Sequence, residues 1–275
     1  MDNNPLKQYF RRPSVYLRLP SGGTGYDETI IDLPDNGEVP IYPMTAIDDI
    51  TTRTPDALFN GTAVIELIKS CVPNIKDPWA ISNIDMDAIL VAIKSASSDS
   101  GEMSISSVCP NCETDATFSI SLAAILGSIS SPDYETELEY GDLSFKLKPI
   151  SYKEINSAAM EQFEFQKMVA QVDNIEDDDL RNQTVKEALE KITNITMNLL
   201  SHSVAYIKTP TSTVDDREFI LEFLRNCDKK MYTAIRDHSG KLREQAEIKP
   251  MDVKCTNCEH EYKQAITLNP TDFFD

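Results

Sequence analysis

Apolar residues change their period several times along the chain, and each change predicts an element. Val15-Tyr-Leu-Arg-Leu19 alternates like a strand, and Gly22-Gly23 marks a turn. Seven prolines (Pro5, Pro13, Pro20, Pro34, Pro40, Pro43 and Pro55) interrupt the apolar runs of residues 1–60, which reads as extended and irregular chain. From Asn60 to Val72 the spacing turns helical, with Val64, Leu67, Ile68 and Cys71 on one stripe and Pro73 ending it. Ser82 or Asn83 caps a second helix that carries Ile89, Ala92, Ile93 and Ala96 on one face. Strand-like alternation returns over Met103–Val108, over Thr117–Leu122 and over residues 136–148, the last turning at Gly141-Asp142.

The second half is mostly helical in period. Ser151-Tyr-Lys-Glu154 is a capping box opening a helix to about Val172, with Ile155, Ala158, Ala159, Phe165 and Val169 inward. An acidic loop, Asp173 to Asp179, leads to a helix whose Val185, Ala188, Ile192, Ile195 and Leu199 step by three and four, so the two helices should pair antiparallel. His202 continues that stripe and reads as a hydrogen-bonded core histidine. A third helix is predicted over Asp215–His238, stopping near Gly240.

Two cysteine pairs carry the chemistry. Cys109-Pro-Asn-Cys112 and Cys255-Thr-Asn-Cys258 each set two thiolates on a tight turn, and each is flanked by strand patterns, Met251–Lys254 and Tyr262–Leu268 for the second. Two such knuckles complete a tetrahedral S4 set that favours a structural zinc ion, Zn2+, with no coordination position left for catalysis. A thioredoxin-like redox pair needs its first cysteine at a helix N-terminus, and here a strand pattern follows instead. Between the knuckles lie 142 residues, Glu113 to Lys254, which must fold on their own and bring their ends together. Cys71 and Cys227 continue helical stripes and read as buried small apolar thiols.

The resulting fold class is α+β: zinc-ribbon-like β hairpins split by a long, mainly helical insertion, with an extended N-terminal arm. In residue ranges, 1–60 is the arm and β region, 61–100 a helical segment, 101–122 with 249–268 the split ribbon, 123–150 a β-hairpin region, 151–240 the helical insertion and 269–275 an apolar tail.

Composition narrows the functions. The 275 residues hold 45 acidic and 26 basic side chains, for a net charge of −19. That opposes general binding to nucleic acid or anionic lipid, both of which need basic surface. A zinc-ribbon nucleic-acid-binding or transcription-related adaptor is the alternative, but Glu113, Asp115, Glu259 and Glu261 around the knuckles face only Lys254 and Lys263. No stretch reaches the ~20 apolar residues of a membrane span, and the first residues lack a signal pattern, so a reducing cytoplasm is expected. No phosphate-binding glycine loop, HExxH or GxSxG motif occurs, and nothing nominates a nucleophile or base, so no enzyme activity and no small-molecule substrate are expected. Residues 1–20 carry Lys7, Arg11, Arg12 and Arg18 against Asp2, with Tyr9, Phe10 and Tyr16 between them. That arm either folds back on its own acidic body or docks a neighbouring subunit through Tyr9, Phe10, Arg11, Arg12 and Tyr16. Phe273 and Phe274 are costly to leave wet and are expected to dock as well.

Several stretches, taken in order, resemble the baseplate hub subunits of T-even-like contractile-tailed phages. They are Asn4-Pro-Leu-Lys-Gln-Tyr-Phe-Arg-Arg-Pro13, Leu19-Pro-Ser-Gly-Gly23, Pro43-Met-Thr-Ala-Ile-Asp48, Pro55-Asp-Ala-Leu-Phe-Asn-Gly61 with Cys71, both knuckles, and Leu268-Asn-Pro-Thr-Asp-Phe-Phe274. The resemblance implies a virion or tail-assembly protein that works with other hub and tail proteins, made in the host cytoplasm and placed in the tail baseplate where it is retained.

Overall fold

The computed structural model describes residues 4–53, 55–172 and 177–266. Two compact units emerge, one from residues 1–131 with 246–275 and one from residues 132–245.

In the first unit a 3-10 turn over Pro5–Tyr9 precedes β1 (Val15–Arg18), which pairs antiparallel with β2 (Glu38–Ile41), Leu17 opposite Val39. Short helices α1 (Ala46–Thr52) and α2 (Pro55–Phe59) lead into α3 (Thr62–Cys71) and then α4 (Asn83–Ser97). The strand expected at Val15–Leu19 is present as β1, and the irregular chain expected around it holds two short helices as well. The local cause of α1 is a capping box: Thr45 accepts from the Asp48 amide while Asp48 accepts from the Thr45 amide. Leu17, Val39, Ile41, Val64, Ile68, Cys71, Ile89 and Ile93 are buried together in this unit's core. The helix expected from Asn60 is present one turn shorter, and Ser82 is the cap of α4, accepting from the Asp85 amide.

Asp85 is fully buried, and no cation among the described residues pairs with it. Its carboxylate accepts from the Ser21 amide (2.8 Å), the Ser82 hydroxyl (3.0 Å) and the Tyr26 hydroxyl, so the glycine-rich loop after β1 is tied to the start of α4. Burial and the Asp85 charge push the Tyr26 hydroxyl well above its usual range. Asp87, two residues on, differs: burial pushes its carboxyl up to about 7. An unfolded aspartate titrates near 3.9, about three units lower, so between those values the folded state binds the extra proton. Stability from this position is complete at acid pH and is lost as pH rises toward and through 7. Asp87→Asn should therefore stabilise the protein at pH 8 by roughly 2 kcal/mol and leave it unchanged at pH 4. Thermal unfolding at both pH values checks this; an equal shift at both would remove the explanation.

After α4 come β3 (Glu102–Val108), β4 (Asp115–Ser121) and α5 (Leu122–Ser128), which packs on α4 through the buried Leu122 and Ile125. The second unit then opens with β5 (Leu138–Tyr140) and β6 (Leu143–Leu147), joined by a two-residue turn in which Gly141 takes φ 60°. Helices α6 (Tyr152–Val172) and α7 (Asp178–Ser203) pack as the expected hairpin. Ala188 and Ile195 of the α7 stripe are buried, whereas Val185 and Leu189 are exposed. Most of the acidic loop, residues 173–176, lies outside the described residues. His202, at the end of α7, is half-buried with Nδ1 3.9 Å from the Glu154 carboxylate; burial holds its pKa below the usual value.

Next are β7 (Val204–Lys208) and β8 (Thr213–Val214), completing an antiparallel sheet in the order β5-β6-β7-β8. The single helix expected over 215–238 is two: α8 (Arg217–Asn226) and α9 (Lys229–Ala246). Asp228 separates them by capping α9, accepting from the Lys230 and Met231 amides at 2.8 and 3.0 Å. Nor does Gly240 end the helix. A helical glycine costs only about 1 kcal/mol, and the buried Leu242 and Ala246 beyond it outweigh that. Phe145, Leu147, Val204, Ile207, Ile220, Leu224, Ile235 and Leu242 form this unit's core, with Phe145 and Phe223 tilted at 6.0 Å. The insertion is therefore helices on a four-stranded sheet, in which β7 and β8 extend the hairpin expected before the helices. The chain returns to the first unit with β9 (Met251–Lys254) and β10 (Glu261–Gln264).

Candidate metal centre

Each cysteine pair sits on the turn of a hairpin, Cys109 and Cys112 between β3 and β4, Cys255 and Cys258 between β9 and β10. The turns share one backbone design. The Cys109 amide donates to Thr114 O (3.0 Å) and the Glu113 amide to Cys109 O (2.9 Å); the Cys255 amide donates to His260 O (2.9 Å) and the Glu259 amide to Cys255 O (3.1 Å). Glu113 and Glu259 hold φ of 55° and 58°, and they are the non-glycine residues with positive φ among those described. The left-handed backbone after the second cysteine folds the two thiols of each pair to one side. It costs a glutamate about 1 kcal/mol that a glycine would not incur. Its recurrence at matching positions shows that both turns are built on the same left-handed geometry.

The two turns meet. Ligand atoms of Cys109, Cys112, Cys255 and Cys258 all lie within 4.8 Å of one another. Cys109 Sγ is 3.7 Å from Cys258 Sγ, and Cys112 Sγ is 3.6 Å from Cys255 Sγ. A tetrahedral thiolate set with metal–sulfur bonds of about 2.3 Å has edges of about 3.8 Å, so the cluster fits one ion. Below it, the Ser107 hydroxyl bonds to Tyr262 OH (2.9 Å) and to Gln264 Oε1, joining the first hairpin to the second. Cys109 and Cys255 are buried, Cys112 and Cys258 half-buried.

The sulfurs differ in protonation. Burial pushes the Cys109 thiol up to about 11, while the Thr114 hydroxyl and amide pull Cys112 down to about 6; backbone donors at Cys258 and Asn257 also lower Cys255. Four sulfurs this close cannot all be anionic unless a cation sits among them, because like charges raise one another's pKa. A divalent metal would supply that charge and displace the protons. Cys109 lies at a strand end, not at a helix N-terminus, which removes the setting a redox pair needs.

The residues expected to contact partners divide. Arg11 turns inward: its guanidinium donates to Pro43 O, Asp48 Oδ2 (3.2 Å), Ser70 O (2.8 Å), Ser70 Oγ (2.7 Å) and Cys71 Sγ (3.6 Å). Burial alone would raise the Asp48 carboxyl, but donors from Thr45 and Ser70 and the Arg11 charge hold it below the usual carboxylate range. Arg12 is exposed, as are Tyr9, Phe10 and Tyr16 at 77%, 57% and 60%. Phe273 and Phe274 lie outside the described residues. Cys71 is buried in the core and Cys227 is half-buried at the α8–α9 junction.

Sequence reading missed the shared Cys-x-Asn-Cys-Glu signature. Asn111 Nδ2 lies 3.6 Å from Cys258 Sγ, and Asn257 Nδ2 lies 3.8 Å from Cys112 Sγ and 3.2 Å from Thr114 Oγ1. Identical residues at the third and fifth positions of both pairs were the available signal.

Fold and centre together define the class: an α+β protein in which two cysteine pairs, 142 residues apart, converge in one four-sulfur cluster. Residues 27–275 match the family model described as T4 bacteriophage base plate protein, and the chain belongs to that family. It is a structural component of the phage baseplate, placed in the virion tail, where it works among other baseplate and tail proteins. No significant match arises among curated proteins or among solved structures. Among the described residues no helix is long and apolar enough to cross a membrane.

Proposed function

We propose that the chain is a zinc-stapled, non-catalytic scaffold of the baseplate hub that acts in tail assembly by binding other hub and tail proteins. The convergence of four sulfurs from the two sides of the insertion carries this reading. The S4 donor set suits zinc, and a closed tetrahedron leaves no position for substrate. The hub position follows from the ordered stretches that resemble hub subunits. Nucleic acid and anionic membranes fit a −19 protein poorly as partners.

The partner contacts are assigned to the N-terminal segment and to the tail holding Phe273 and Phe274. Arg11 pins the segment to the body, and Tyr9, Phe10, Arg12 and Tyr16 remain exposed beside it. Deleting residues 1–20 would also remove β1 with the buried Leu17 and Leu19, so it is a poor test. Tyr9→Ala combined with Phe10→Ala is the cleaner one. The double variant should fold with an unchanged melting temperature, bind one zinc per chain, and fail to copurify with hub and tail proteins from infected cells. Unchanged copurification would remove this surface from the proposal, and zinc-free wild-type protein would remove the staple.

A further inference from the structure

The crossed asparagines do more than fill space. We propose that Asn111 and Asn257 are positioning residues for the bound ion, each donating an N–H···S hydrogen bond to a ligand sulfur of the opposite turn. The inference rests on the zinc reading above and assigns the residues that hold the sulfurs once the ion is in place.

Three observations carry it. First, the arrangement is reciprocal: Asn111 of the first turn reaches Cys258, and Asn257 of the second reaches Cys112. Both residues occupy the same position in their turns, so one local geometry produces both contacts. Second, a sulfur ligand is an acceptor, so the amide nitrogen, not the amide oxygen, must face it. Asn257 satisfies its group further by donating to Thr114 Oγ1, whose side chain also contacts Cys112 Sγ at 3.3 Å. Third, charge has to be dispersed. Four thiolates around a divalent ion leave a net charge of about −2. The flanking side chains Glu113, Asp115, Glu259 and Glu261 add negative charge, and Lys254 is spent on Glu259 at 3.2 Å. Neutral N–H donors are the compensation the turns supply, with the Asn257 amide adding one to Cys255 Sγ at 3.4 Å.

The crossing also has an energetic effect. A donor reaching a sulfur of its own turn would stabilise that turn alone. One reaching across forms only when both turns are together, so it adds to the closure of the 142-residue excursion.

The test uses the full chain. Asn111→Ala, Asn257→Ala, the double variant, and the near-isosteric Asn111→Asp, which removes the donor, are titrated with zinc against a chromophoric chelator. Loss of such outer hydrogen bonds typically costs 10–100-fold in metal affinity. We expect about tenfold for each alanine variant and close to 100-fold for the pair, with one zinc per chain retained. In cobalt-substituted protein the thiolate-to-metal charge-transfer band should move to longer wavelength as donors are lost, which a packing role alone would not do. Zinc affinity within twofold of wild type, with an unmoved cobalt band, would overturn the assignment while leaving the staple intact. Wild-type protein that binds no zinc would instead defeat the staple itself. Should an alanine variant misfold, Asn111→Asp and the cobalt band still decide the matter.

Discussion

Cys109→Ser or Cys255→Ser should produce the largest effect of any single substitution: loss of the metal together with a drop in stability of about 3–5 kcal/mol. Structural thiolate sites transfer their binding free energy to folding, because no preformed site exists in the unfolded chain. Removing one ligand also leaves three crowded sulfurs without the ion that balances them. For a chain of this size, 1 kcal/mol shifts the midpoint by about 2–4 °C, so the transition of the first unit should fall by roughly 10 °C. The hydrophobic core around Phe145 contains no centre residue, and its transition should stay where it is. Chelator added to wild-type protein should reproduce the shift, and added to the serine variants it should do nothing more. Calorimetry with elemental analysis on the same samples checks both statements. A serine variant with full zinc content and an unmoved transition would show that the sulfurs do not share an ion.

The second large effect is expected at Arg11. Its guanidinium meets Asp48, whose side chain is only 8% exposed, and it satisfies the carbonyls of Pro43 and Ser70. Arg11→Ala leaves a buried carboxylate without its cation, a change that costs about 3 kcal/mol or more when the pair is well desolvated. Arg11→Lys keeps the charge but loses the fork geometry, and it should recover no more than half. The penalty should depend on pH. Asp48 is held below the ordinary carboxylate range when folded, so the stability it adds is present above the unfolded pKa and is lost as pH falls through the folded one. The gap between wild type and Arg11→Ala should therefore narrow in acid. Arg12→Ala, at the exposed neighbour, should change stability by less than about 0.5 kcal/mol. Urea unfolding at pH 7 and pH 3 distinguishes these outcomes, and an Arg11→Ala penalty below that of Arg12→Ala would refute the anchor.

How much was legible beforehand follows from the range of the interactions. The centre was legible because a knuckle is local: two cysteines three apart, with strand patterns on both sides. The caps at Ser82 and Ser151 and the α6–α7 pairing were equally local. What escaped needed partners far along the chain. β6 pairs with β7 across α6 and α7, and a four-residue apolar run such as Val204–Ile207 does not announce its partner. For Arg11 the sequence left folding back on the acidic body and docking a neighbour both open, because nothing nearby in sequence marks Asp48 and Ser70 as its acceptors. Two misses were local all the same. The Thr45–Asp48 capping box and the Asp228 cap were present as letters, masked by the proline density before α1 and by the unbroken apolar stripe across Cys227.

The spacing of the cysteine pairs also gives the protein a timetable. During synthesis the first turn emerges well before its counterpart, and at ~5–20 residues per second the 142 intervening residues take roughly 7–30 seconds to translate. In that interval Cys109 and Cys112 can offer an ion only two of four ligands, while residues 132–245 have time to collapse on their own. Sealing is thereby deferred until the ribosome has passed Cys258. A chain interrupted anywhere in the excursion would keep an unpartnered pair of thiols, so a filled four-sulfur site would mark a chain translated beyond Cys258.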